Sequence, residues 1–322
     1  MKSITLTQLS YVTAVSRTRN FGLAAKSCFI SQPTLSMQIQ KLEDDLGVTL
    51  FDRSKKPVEP TAMGKKIIAQ AQVVLQEAKR IEELIKDEKG EISGEFRLGI
   101  IPTLAPYLLP LFLEKFTTTY PAVNLIVEEM QTQKIIKMLK EDKIDAGILV
   151  TPLNHKGIVE WPIFNDPFLA YLAPKHPLLS LSQVTDKDLS LDDIWLLNEG
   201  HCFRDQAIEI CKRVKGSKKK NLTFESGNLE TLKRLVDQNF GYTLLPSLAI
   251  LGMSASEQKK KVRFFKTPAP IREVSVVYSR NYLKKSIIEA LHKEVVSSLP
   301  GKLKKSKPKE RLIEISPSKS AV

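Results

Sequence analysis

Six consecutive residues, Gly200-His201-Cys202-Phe203-Arg204-Asp205, with Cys211 further along, are the part of this chain best equipped for chemistry. They set a thiol between an imidazole and a guanidinium, at what reads as the start of a helix. A nearby positive charge and a helix N-terminus both favour thiolate over thiol, and the thiolate is the reactive nucleophile. Ala207, Ile208 and Val214 predict a helix over 203–214. From Cys202 to Cys211 is then about 2.5 turns and roughly 13 Å of rise. That spacing puts the thiols on opposite faces, well beyond the ~7 Å Cα separation a disulfide tolerates. They can join only if the helix opens, which is how a switch behaves.

Plainer readings stand beside that one. A lone cysteine is commonly a small core hydrophobe. Cys28, in the apolar run 21–29, fits that role, whereas Cys202 with its polar neighbours fits it poorly. A metal site would draw on three Cys and four His, and none shows a paired ligand spacing. Neither a metal nor a cofactor is expected.

The scaffold that must hold these residues is large enough, at 322 residues, for two or three domains. No apolar signal segment stands near Met1. The longest apolar stretch, 98–116, is broken by Pro102, Pro106 and Pro110, which argues against a membrane span. A cytoplasmic protein with no membrane partner is expected, in a reducing compartment where a disulfide would be transient. The net charge of +13 points to a polyanionic partner such as nucleic acid. Part of it sits in 301–322, where seven Lys and Arg oppose two Glu among Ser and Pro, a composition that predicts a basic disordered tail.

Residues 1–62 read as a compact helical unit. Leu6, Leu9, Val12 and Val15 mark a first helix, and 21–28 a second. Ser31 is a good N-cap for a third, with Pro33 in its first turn. Leu35, Ile39, Leu42 and Leu46 make one buried stripe along that helix, and Pro33, Ser36, Met37, Gln40 and Lys41 face the other way. This is the helix-turn-helix arrangement, whose second helix enters a DNA major groove. Arg53-Ser54-Lys55-Lys56-Pro57 reads as a basic hairpin tip placed to touch phosphates. Over 63–89, Ile67, Val74 and Ile81 repeat every seven residues, as do Ala71, Ala78 and Ile85. Such a seam predicts a linker helix that dimerises as a short coiled coil.

Beyond Gly90 strands and helices alternate. Strands are predicted at 96–101, 123–128 and 145–150, with helices at 107–120 and 132–140. A second set has strands at 194–197, 222–225 and 242–245, with the Cys202 helix and another at 229–238 between them. A strand at 274–278 and a helix ending near Leu299 close the chain. Two such sets, joined by crossovers near Phe168 and Pro268, imply subdomains of 90–167 plus 269–300 and of 168–268, with a cleft between. Ligands of open sheets bind at the carboxyl ends of strands. There, Ile101-Pro102-Thr103 and residues 129–132 place hydroxyls.

At this point a family resemblance is legible. Ile30-Ser31-Gln32-Pro33-Thr34-Leu35-Ser36, with Gln38-Ile39 and Lys41-Leu42-Glu43, resembles the recognition segment of LysR-type transcriptional regulators. The linker and the two-subdomain region are similar too, so the resemblance runs from about Leu6 to Leu299. Within the family, Gly200 to Gln206 together with Cys211 resembles the redox centre of the members that sense hydrogen peroxide; most others respond to small metabolites. The resemblance implies an α+β multidomain chain. It comprises an N-terminal winged helix-turn-helix, a long linker helix and a two-subdomain α/β effector region of the periplasmic-binding-protein kind.

It also implies roles. Cys202 corresponds to the peroxide-reacting thiol and Cys211 to the resolving one, joined in a reversible disulfide after the helix between them unwinds. Thr103, Thr132 and Arg272 correspond to residues that position the oxidant, and His201, Arg204 and Asp205 to those around the thiolate. Ser31, Gln32, Pro33, Thr34, Ser36, Met37, Gln40, Lys41, Arg53 and Lys55 would contact a double-stranded promoter operator. The implied partners are a second copy in a homodimer or homotetramer, RNA polymerase, and glutaredoxin or thioredoxin as reductant. The implied output is control of oxidative-stress defence genes. Gln40 departs from the arginine expected there, and Lys218-Lys219-Lys220 and the basic tail are not family features. Two other functions remain open on the residues alone. One is a regulator that takes a metabolite in the Thr103/Thr132 cleft, and the other is a thiol peroxidase.

Overall fold

The computed structural model describes residues 4–88, 91–211, 226–239, 241–279, 284–301, 303 and 310–313. They divide into two compact units, 1–89 and 90–322.

In the first unit, α1 (Leu6–Thr18) starts from a capping box in which Thr5 and Gln8 bond reciprocally. Asn20 caps α2 (Phe21–Ser27), and the Ser31 hydroxyl accepts from the Thr34 amide to cap α3 (Gln32–Leu46). Gly47, at φ 68°, ends α3 in the left-handed conformation that glycine tolerates best. Leu35, Ile39 and Leu42 are fully buried against Val12, Val15, Ala24 and Phe51, the stripe that the spacing predicts. A hairpin of β1 (Phe51–Asp52) and β2 (Glu59–Pro60) leads into the long α4 (Ala62–Glu88). At its first turn, Gly64 approaches the Leu50 carbonyl so closely that any Cβ would collide.

The second unit opens with β3 (Gly94–Ile100), α5 (Ala105–Thr119), β4 (Val123–Glu129), α6 (Thr132–Lys140) and β5 (Ala146–Thr151). The three strands are parallel in the order β4-β3-β5. The long β6 (Ile158–Leu172) comes next, then β7 (Gln183–Val184), α7 (Cys202–Ile210), α8 (Leu229–Asp237), β8 (Tyr242–Pro246), α9 (Ala255–Lys261) and β9 (Val262–Phe265). The chain returns through β10 (Ala269–Ser279) and α10 (Lys285–Ser298) to β11 (Glu310–Leu312).

β6 changes partners midway. Residues up to Pro167 pair with β10, and those from Phe168 pair with β8 and β9. Pro162, which has no amide hydrogen to donate, stands where the β6–β10 register shifts at a bulge, the kind of position where a strand tolerates proline. Two hydrophobic cores result. One centres on Phe96, Phe112, Phe116, Ile148 and Leu291, the other on Tyr171, Leu197, Leu232, Tyr242 and Leu244. Tyr107 packs on both, and its hydroxyl donates to Glu230 at 2.9 Å.

The structure departs from the sequence expectations in three places. Residues 194–197 form no strand; a single bridge from Ile194 to Tyr242 replaces the ladder. The helix predicted over 203–214 is Cys202–Ile210, and Cys211 leaves it in an extended conformation at φ −93°, ψ 125°. The strand predicted at 222–225 lies outside the described residues. The tail is not wholly without structure, because Glu310–Leu312 pairs parallel to β10 and Ile313 is buried in the second core. There backbone pairing and apolar burial override the basic composition. No helix among the described residues is long and apolar enough to cross a membrane.

Candidate functional site

Three chain segments from distant parts of the sequence meet at Cys202. The β3 strand ends at Ile100 and releases Ile101, Pro102 and Thr103. The β4 strand ends at Glu129, and Gln131 caps α6 so that Thr132 stands in its first turn. Cys202 is the first residue of α7, entered through Gly200 at φ 89°. A Cβ at Gly200 would come within 3.0 Å of the Gln131 amide, so both the backbone and the space favour glycine. A narrow pocket is lined by Ile101, Pro102, Thr103, Gln131, Thr132, Gly200, His201, Cys202 and Phe203. Its empty volume is about 210 Å³ even with space open to solvent. That is below the roughly 300–1,000 Å³ usual for metabolite-sized ligands.

Within it, the Cys202 thiol and the Thr132 hydroxyl share a hydrogen bond of 3.1 Å. Thr103 is fixed from behind by Arg272, whose Nη1 donates to the Thr103 hydroxyl at 3.0 Å and Nη2 to its carbonyl at 3.2 Å. Arg272 has no exposed surface, and its charge is met by Asp166, equally buried, through Nε at 3.2 Å and Nη2 at 2.9 Å. These two residues face each other in the β6–β10 register. The Ser247 hydroxyl donates to the other Asp166 oxygen at 2.7 Å. Arg272 also lies 5.2 Å over the Phe203 ring. Asp166 is the residue that sequence reasoning missed. The available signal was a carboxylate in an apolar strand, which requires a buried cation opposite.

Thr103, Thr132, His201, Cys202 and Arg272 are thus brought together, whereas Arg204 and Asp205 are not. Arg204 turns away and donates to the Leu197 carbonyl at 2.9 Å. Asp205 lies outside the pocket lining but near enough for its charge to act on Cys202. His201 is buried, and desolvation holds its imidazole below the ordinary value, disfavouring the charged form. The expectation that every neighbour favours thiolate therefore needs correcting. Burial pushes the Cys202 thiol up, the Thr132 hydrogen bond pulls it down, Asp205 pushes it up and Arg272 pulls it down.

Cys211 caps the other end of α7 and is 2% exposed, in the second core. Burial pushes its thiol up to about 11, against a hydrogen bond from the Tyr242 hydroxyl at 3.5 Å. Both thiols are free, and the helix between them rises roughly 13 Å from one to the other. Lys212, Arg213 and Lys218 to Lys220 lie outside the described residues.

The other expected surface belongs to the first unit. Ser31, Gln32, Pro33, Thr34, Met37, Gln40 and Lys41 are exposed along α3, and Ser36 is half-exposed. The hairpin cations are less free than expected. Arg53 donates to Ser36 and pairs with Glu43, both at 3.0 Å, and lies over the Phe21 ring. Lys55 pairs with Glu59 at 2.8 Å. On α4, Ala71 is buried and Ile67 packs against the unit's own core. Ala78 is half-buried, and Val74, Ile81 and Ile85 are exposed. The apolar seam open to a partner thus begins at Val74, later than the heptads suggest.

Two family models match the chain: the bacterial regulatory helix-turn-helix of the lysR family over residues 6–65, and the LysR substrate binding domain over 89–299. The hydrogen peroxide-inducible genes activator of Haemophilus influenzae is 34% identical over 298 residues, covering 91% of this chain and 98% of that protein. The DNA-binding transcriptional dual regulator OxyR of Escherichia coli is also 34% identical, covering 91% of this chain and 95% of its own length. Among solved structures, a full-length OxyR variant from Pseudomonas aeruginosa aligns with TM-score 0.69 at 32% identity, covering 91% of this chain and 98% of that one. A hydrogen peroxide-bound OxyR mutant from Corynebacterium glutamicum aligns with TM-score 0.60 at 28% identity, covering 91% and 92%. The chain belongs to the LysR family of transcriptional regulators.

Proposed function

We propose that this LysR-family regulator senses hydrogen peroxide at Cys202 and stores the signal as a Cys202–Cys211 disulfide that changes how it binds DNA. The observation that carries the reading is the narrow pocket in which Cys202 bonds Thr132 while buried Arg272 holds Thr103 in the same lining. Polar groups surround the thiol, yet the space suits a peroxide better than a metabolite. The names of the Haemophilus influenzae and Escherichia coli relatives agree with this reading.

The chemistry runs in two steps. The Cys202 thiolate attacks one peroxide oxygen, the O–O bond breaks, and hydroxide leaves with a proton as water. Thr103, oriented by Arg272, and Thr132 hold the two oxygens in line, and Arg272 offsets the charge that develops on the leaving oxygen. The sulfenic acid then condenses with the Cys211 thiol, forming the S–S bond and releasing a second water. That step requires α7 to open, because the helix holds its two ends too far apart for a disulfide. A dithiol reductant such as glutaredoxin or thioredoxin restores both thiols by exchange.

The output lies in the first unit. The exposed face of α3 reads operator bases, and Val74, Ile81 and Ile85 form the seam of a dimer whose pairs assemble as tetramers. Rearrangement around α7 alters the spacing of the bound units, and through it contact with RNA polymerase at stress-defence promoters. Mass spectrometry after one equivalent of hydrogen peroxide tests the reading. A Cys202–Cys211 bond should form within minutes and be missing in Cys202→Ser. Two thiols still reduced after that exposure would remove the sensing assignment.

A further inference from the structure

The C-terminal segment meets the redox helix at its middle. The β11 strand adds parallel to the start of β10, with Ala269 opposite Glu310, Pro270 opposite Arg311 and Ile271 opposite Leu312. The next residue, Ile313, donates its amide to the Ile271 carbonyl at 2.9 Å and is 2% exposed in the second core. Its carbonyl accepts from Gln206 Nε2 at 2.6 Å. Gln206 is completely buried, stands between the two cysteines on α7, and finds no partner for its Oε1 among the described residues. Two further anchors hold the segment. Arg311 pairs with Asp186 at 2.7 Å, and Asn165 donates to the Glu310 carboxylate at 2.9 Å. The match to the LysR substrate binding domain ends at residue 299, so the segment itself lies beyond it.

We propose that the edge of β10 beside α7 is a docking site for the chain's own residues 310–313, and that their docking holds α7 closed and delays the disulfide. The inference rests on the peroxide reading for its second half only. Beyond the ladder to β10, three of the segment's four residues are tied to different places: Glu310 to β6, Arg311 to the turn at Asp186, and Ile313 to both the second core and α7. Bringing Cys211 to Cys202 must carry Gln206 out of position. That movement strips a buried carbonyl of its donor, which costs more than never having made the bond. A segment that binds closed α7 better than open α7 shifts the balance toward closed by the difference in its affinities. Displacing the segment would then sensitise the switch without touching the pocket.

Two full-length-derived proteins test this: one ending at Lys309, and the point variant Ile313→Asp. Hydrogen exchange of residues 202–210 is read first, in the reduced state. We expect exchange about fivefold faster or more in both proteins, the factor carried by one lost buried hydrogen bond. Disulfide formation after one equivalent of hydrogen peroxide should accelerate by a similar factor. Sulfenic acid formation in a Cys211→Ser background should keep the wild-type rate. Unchanged exchange in both proteins overturns the proposal, as does faster exchange with an unaltered disulfide rate. If no Cys202–Cys211 bond forms in any of the three, the peroxide reading fails, and exchange alone decides whether the segment holds α7.

Discussion

At its first residue, α7 places Cys202 against polar side chains from other elements, beside a pocket. At its far end, Cys211 sits in an apolar core with one tyrosine hydroxyl as its polar neighbour. Burial raises both thiols, but only at Cys202 do a threonine and an arginine work against it. On the peroxide-sensing reading proposed above, that difference sets the order of events: the thiol with polar partners and access is attacked first, and the thiol sealed in hydrocarbon is protected from the oxidant until the helix opens.

The largest expected effect breaks the comparison outright. Under hydrogen peroxide, Cys202→Ser should yield neither sulfenic acid nor disulfide. Cys211→Ser should accumulate a Cys202 sulfenic acid that dimedone traps. Mass spectrometry of the two variants reads this directly. A sulfenic acid on Cys211 in Cys202→Ser would mean that the buried end is reactive, and the assignment of roles would reverse.

Next in size is Asp166→Asn. Removing one partner of a buried ion pair costs about 3–5 kcal/mol, because the other charge is left uncompensated. Arg272 would lose its counter-charge and its hold on Thr103 would loosen. Denaturant unfolding should show the loss, and peroxide oxidation of Cys202 should slow. Adding Arg272→Met to Asp166→Asn should recover part of the stability but none of the rate. Alkylation of Cys211 in native buffer should not change, since the defect belongs to the other end of α7.

These residues were unevenly legible in the sequence. The Leu35, Ile39 and Leu42 stripe and the Ser31 cap are local, so spacing alone revealed α3. The thiols announced themselves by type. Arg272 reached the site only through family resemblance, and Asp166 not at all, because their pairing spans 106 residues. Cross-strand partners leave no local spacing to read. Residues 194–197 carry strand-like composition, yet only Ile194 bridges to Tyr242, so pattern without a neighbour's register misleads. Arg311, Leu312 and Ile313 were hidden by the lysines before them, although one buried isoleucine and three residues of pairing suffice to place them.

A third test uses pH on the buried end. Cys211 has a folded value near 11, above the ordinary 9.0. Above the unfolded value, the unfolded chain gives up this proton while the native state keeps it. Stability should therefore be full below about pH 8.5 and fall as pH rises toward 11. The loss should reach roughly 2–3 kcal/mol at the upper end. Thermal unfolding of reduced protein across pH 8 to 11 measures it, with Cys211→Ser as the control that lacks this component. Equal slopes in the two proteins would show that Cys211 is not sealed.

The smallest effect is the most discriminating for the reactive end. Asp205 stands one turn into α7, and its negative charge opposes ionisation of Cys202. Family resemblance makes it part of the reactive surroundings, whereas its charge in the structure works against the thiolate. Asp205→Asn should then speed oxidation by hydrogen peroxide at pH 7 by about twofold to fivefold, through a larger thiolate fraction at Cys202. The gain should shrink as pH rises through the Cys202 value, because both proteins become thiolate there. A slower variant at every pH would mean that Asp205 serves the reaction itself, and that a second polar group belongs to the pocket.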